Sequence, residues 1–129
     1  MADPVAQATA KINPAGGQPF VQVFDRVNNF GVFTLSLHDG VTGATLSILA
    51  SNANSYNTPQ VRYVIPLLAA QAVGKILVCR ATLVPAGAVK PLGFTLNVVQ
   101  DEQVIDDGNA ILSIDSNEPS NAAIRVELA

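Results

Sequence analysis

The chain has no tryptophan, one cysteine, one histidine and one methionine among 129 residues, and charged side chains make up only 13% of it. Each scarcity removes a class of chemistry. The single thiol, Cys79, cannot close an intrachain disulfide, so nothing points to a disulfide framework. His38 is the only histidine, which rules out a multi-histidine metal centre and leaves Cys79 with His38 as the one conceivable Cys–His pair. The two fall on different predicted strands. Cys79 sits mid-strand on the apolar side, where a thiol behaves as a small inert hydrophobe, and His38 borders a turn, where solvation is expected. Serine nucleophile elbows, phosphate loops and dinucleotide glycine patterns are all absent. The expectation is a protein that is not an enzyme.

The shortage of charge also bears on partners. Net charge is −3, and the seven Lys and Arg residues are scattered, whereas phosphate backbones and anionic lipid surfaces call for clustered cations. Nucleic acid is therefore not an expected partner. The longest apolar run, Val64 to Val73, is interrupted by Pro66 and Gln71 and falls well short of the roughly 20 residues that cross a bilayer, so membrane insertion is not expected either. The segment Met1–Gln7 has neither a basic region nor an apolar stretch. No signal peptide is expected; a cytoplasmic location is the default, with signal-less export as the alternative.

What the chain does have is alternation. Hydrophobic residues make up 49% of it, and they recur with period two across most of its length. The organising stretch runs from Gly31 to Ala50. Its arms carry the near copies Thr34-Leu-Ser-Leu37 and Thr45-Leu-Ser-Ile48, and Asp39-Gly40 and Gly43 supply turn positions between them. That reads as a β-hairpin, with Phe33, Leu35 and Leu37 facing a core and Thr34, Ser36 and His38 turned away. The likeness of the two arms is attributed to their pairing.

Around the hairpin, Ala6–Ile12 reads as a first strand ended by Pro14-Ala-Gly-Gly17, and Pro19–Val27 as an inner strand, apolar on both faces. Val61–Leu68 reads as a strand that Pro66 confines to an edge or a strand end, and Ala69–Gly74 as a short helical turn. Lys75–Val84 follows, with Leu77, Cys79, Ala81 and Leu83 as its core side. Gly93–Val99 comes next, with Phe94, Leu96 and Val98 inward. Ala110–Asp115 and the strictly alternating Ala122–Ala129 complete the set; Ile124, Val126 and Leu128 must pair inside the sheet or extend a neighbouring one. Eight or nine short strands with no useful amphipathic helix predict a single all-β domain over residues 1–129, an antiparallel β-sandwich of Ig-like or jelly-roll-like type.

Two segments carry site chemistry. The acidic stretch offers Asp101, Asp106, Asp107 and Asn109, with Glu102, as oxygen donors of the kind calcium takes, although their spacing does not match an EF-hand loop. The polar run Ser51–Pro59 reads as a loop on a rigid scaffold, with Asn52, Asn54, Tyr56 and Asn57 as candidate ligand contacts. The leading functional expectation is a non-enzymatic recognition or assembly module that binds a protein partner or copies of itself. The alternative is a lectin-like carbohydrate-binding domain, calcium-assisted or not. The aromatic content of 5% weighs against a sugar site built on ring stacking.

Overall fold

The computed structural model describes residues 5–25, 30–53, 62–83, 92–105, 110–114 and 120–129. The expected turn at Asn28-Asn29, the loop expected between Pro85 and Pro91 and residues 116–119 of the turn expected over Ser116–Asn121 lie outside these residues, while Ser120 and Asn121 already belong to the last strand. The strands are β1 (Val5–Ala10), β2 (Phe20–Asp25), β3 (Phe30–Asp39), β4 (Thr45–Ala53), β5 (Tyr63–Val64), β6 (Lys75–Leu83), β7 (Leu92–Gln100), β8 (Gln103–Val104), β9 (Ala110–Ile114) and β10 (Ser120–Leu128), with one helical turn, α1 (Ala69–Ala72).

They form two sheets. The first runs β1-β10-β6-β3-β4; the second runs β5-β2-β7-β8, with β9 also on β7. This is the expected all-β sandwich. All pairings are antiparallel except that of β1 with β10, which is parallel. The last strand is thereby enclosed between the first strand and β6, which places Ile124, Val126 and Leu128 in the core, none more than 1% exposed.

Alternation decides which side chains enter the core. Row by row across the first sheet, Ala6, Ile124, Cys79, Leu35 and Ala50 lie abreast, and Ala8, Val126, Leu77, Leu37 and Ser47 form the next row. Val21, Val23, Leu96 and Val98 of the second sheet close over these rows in one cluster. Burying each large aliphatic side chain contributes about 2 kcal/mol, enough for a dozen of them to offset much of the ordering entropy of the strands. Phe33 meets Tyr63 of the second sheet edge to face, with ring centroids 5.7 Å apart and planes at 88°. Cys79 is wholly buried, and desolvation pushes its thiol far above the ordinary range, as suits an inert core residue.

The β3–β4 turn is held by Asp39. Its carboxylate accepts the backbone N–H groups of Val41 at 2.8 Å and Thr42 at 3.0 Å, which lowers its pKa below the ordinary value. The hairpin itself is irregular, with register shifts at three places. Ser36 therefore faces Ile48, and Leu37 faces Ser47. The twin motifs are paired out of phase, so pairing does not account for their likeness; a one-residue offset sends matching side chains to opposite faces.

Other expected elements are shorter than the sequence suggests. Of the described part of Val61–Leu68, residues 62–68, only Tyr63–Val64 is strand, because Pro66 has no N–H and the chain turns there, Leu67 N–H donating to Ile65 O at 2.8 Å. The polar run Ser51–Pro59 is not loop throughout, since β4 continues through Ala53. The acidic stretch begins with a two-residue hairpin turn at Asp101 (φ 54°) and Glu102 (φ 64°), which joins β7 to β8 with Gln100 opposite Gln103. Neither turn residue is the glycine or asparagine that usually announces this geometry.

Two glycines of the β3–β4 turn make opposite demands. A Cβ on Gly40 would collide with the backbone carbonyl of Gly74, while one on Gly43, at φ +76°, meets nothing within 4 Å. Gly40→Ala is expected to lower unfolding free energy by about 2 kcal/mol, and Gly43→Asn, which tolerates positive φ, by well under 1 kcal/mol. Urea denaturation of both variants checks this. Equal losses would contradict the described contact with Gly74.

Candidate functional site on the outer sheet face

The registers that bury one set of side chains present the other set outward in equally ordered rows. On the outer face of the first sheet, Asn121 lies beside Thr82. The next row is Val5, Ala123, Arg80 and Thr34, and the row after it is Gln7, Arg125, Val78, Ser36 and Ile48. The small side chain of Ala123 leaves a low point between longer neighbours. An open groove of about 660 Å³ results, with Val32, Thr34, Arg80, Thr82, Asn121 and Arg125 among its lining residues. Within it Thr82 Oγ1 donates to Asn121 Oδ1 at 3.0 Å.

Its two charged lining residues, Arg80 and Arg125, are both cationic. Arg125 Nη2 stands 4.0 Å from Glu127 Oε1, a solvent-exposed contact of little strength. Among the described residues Arg80 has no carboxylate within ion-pair distance. Both guanidinium groups offer paired N–H donors that match a carboxylate.

A second polar group lies farther along β3. Ser36 Oγ and His38 Nε2 are 2.7 Å apart, and His38 Nδ1 is 3.3 Å from the carbonyl of Gly43. With Nδ1–H donating to that carbonyl, Nε2 accepts from the serine hydroxyl. His38 is thus half-buried and hydrogen-bonded, not simply a solvated turn residue. None of the hydrogen bonds recorded for it is to a carboxylate.

Most of the residues singled out from sequence lie outside the described ones. Asn52 belongs to β4, whereas Asn54, Tyr56 and Asn57 lie outside the described residues. Of the calcium set, Asp106, Asp107 and Asn109 also lie outside them. Asp101 is described, and its Oδ1 is taken: it accepts the Gly17 N–H at 2.9 Å. Next to it the buried Gln100 clamps the same β1–β2 connection, accepting from Asn13 N–H at 2.9 Å and donating to the carbonyls of Asn13 at 2.8 Å and Gly17 at 2.9 Å. Among the described residues no three His, Cys, Asp or Glu side chains converge as a metal site would need. No described helix is long and apolar enough to cross a membrane.

The chain matches no protein-family model, no curated protein and no solved structure. Arg80 and Arg125 are the functional candidates that sequence reasoning passed over. Alternation already put Arg80 on the outward side of its strand, but nothing local reveals that Arg125 stands on the neighbouring one.

The turn contact gives Asp101 a structural role that can be separated from cation binding. Asp101→Ala, which loses both the acceptor and the tolerance for positive φ, is expected to cost about 1–2 kcal/mol, and Asp101→Asn, which keeps both, less than half of that. Melting temperatures in calcium and in chelator check it. The loss is expected to be the same in both; a loss confined to the calcium arm contradicts the turn-holding role.

Proposed function

We propose that the chain is a non-enzymatic recognition or assembly module that binds a partner protein or further copies of itself through the β4 side of the first sheet. The observation that supports this most is the inverted polarity of β4. Ser47 points toward the core, partly buried, while Ile48 on the outer face is 61% exposed and Leu46 is 48% exposed. A strand that served only to cover the core would carry these residues the other way round.

The position of β4 strengthens the reading. It ends the first sheet, so one side of its backbone has no strand partner among the described residues. From Thr45 to Ala53 it contains no charge and no proline, the usual devices that keep a free edge from pairing with another chain. The second sheet ends in the two-residue β5 on one side and in β8 and the five-residue β9, both on β7, on the other. An uncharged edge strand with its apolar side to solvent is suited to β-augmentation, in which backbone hydrogen bonds supply affinity and outward side chains supply specificity.

Size-exclusion chromatography with light scattering, run over a concentration series, tests the assembly form of the proposal. The wild type is expected to exceed the 13.4 kDa monomer mass increasingly with concentration. Ile48→Lys is expected to return it to monomer while changing stability by less than about 0.5 kcal/mol. A wild type that stays monomeric into the millimolar range, or a variant that associates as the wild type does, contradicts assembly through β4.

A further inference from the structure

We propose that the groove over Ala123 takes an extended acidic segment of a partner protein, in which two carboxylates placed two residues apart are held by Arg80 and Arg125. This deepens the recognition reading but uses the sheet face and not the β4 edge. The charge pattern identifies the ligand class. In a chain of net charge −3, the groove is lined by two arginines and no acid, and Arg80 has no carboxylate within ion-pair distance among the described residues.

The register identifies the spacing. Arg80 lies opposite Ala123 on β10, and Arg125 is two residues farther along the same strand and on the same face. The two arginines are therefore diagonal cross-strand neighbours, whose side chains start roughly 7 Å apart. In an extended peptide, side chains at positions i and i+2 point the same way and are also about 7 Å apart. Two such carboxylates can meet the two guanidinium groups together, each as a paired hydrogen-bond acceptor. Around them Thr34, Thr82 and Asn121 line the groove with hydroxyl and amide groups suited to a peptide backbone. The occupant is a different protein and not a second copy, because none of the chain's ten Asp and Glu residues stands two positions from another.

Fluorescence anisotropy on the full chain at low ionic strength tests this with two labelled peptides of equal charge, Ser-Glu-Ser-Glu-Ser and Ser-Ser-Glu-Glu-Ser, and a single-stranded oligonucleotide of matching length. The alternating peptide is expected to bind several-fold more tightly than its isomer, and less tightly as salt is raised. Arg80→Gln and Arg125→Gln are each expected to weaken it about tenfold with unchanged melting temperatures, and Arg80→Lys by less. Arg80→Gln is expected to leave the mass of the chain over the light-scattering concentration series as in the wild type, so that failure of the β4 assembly and failure of this site read out separately. Equal affinity for the two isomers, indifference to Arg80→Gln, tighter binding of the oligonucleotide, or no binding would each overturn the proposal.

Discussion

The structure depends on one apolar seam that crosses three strands. Ile124 of β10, Cys79 of β6 and Leu35 of β3 lie abreast, and Val126, Leu77 and Leu37 repeat the arrangement one step along, none more than 1% exposed. Strand side chains have a period of exactly two residues, so seating this seam fixes the registers of β10, β6 and β3 together; a slip of one residue on any of them would carry its aliphatic groups into water. The outer face follows from the same constraint. Once Ile124, Cys79 and Leu35 point inward, Arg125, Arg80 and Thr34 have to point outward from strands already held side by side.

Function is therefore read most readily where the outer face departs from what a solvated sheet needs. The outer face carries charges of both signs, Arg80 and Arg125 with Glu127 beside the latter, as a solvated face does. Here Ala123 creates a depression between two arginines, and the neighbouring edge strand shows Ile48 and Leu46 to solvent. The irregular β3–β4 pairing produces the second feature, since its register shifts rotate β4 out of phase with the arm it resembles. The core and the proposed recognition surfaces are two sides of the same strands, one determined by the seam and the other left free to vary.

Much of this was legible in the sequence wherever the argument is local. Alternation identifies the inward residues of β3, β6 and β10, the edge position ended by Pro66, and the Asp39-Gly40 turn. The phase of β4 was not legible: Thr45-Leu-Ser-Ile48 looks like a second inward-facing arm, and only the bulged register reverses it. The Asp101-Glu102 turn was hidden because Asp101 is followed by Glu102, where a glycine would have marked the positive φ. Gln100, grouped with an acidic loop by its neighbours, is in fact the clamp on the β1–β2 connection. The pairing of Arg80 with Arg125 was out of reach for a more general reason. They are far apart in the chain, and strand adjacency is a property of the whole sheet that no short window contains.

Residue-resolved hydrogen exchange along β10 tests the seam most directly. Between β1 and β6 every backbone amide from Ala123 to Glu127 has a strand on the side it faces, so protection is predicted to be uniformly high across all five, close to that of global unfolding. Alternating slow and fast amides over this stretch would mean that β10 lacks one of its two neighbours, and would contradict the enclosed strand on which the seam is built.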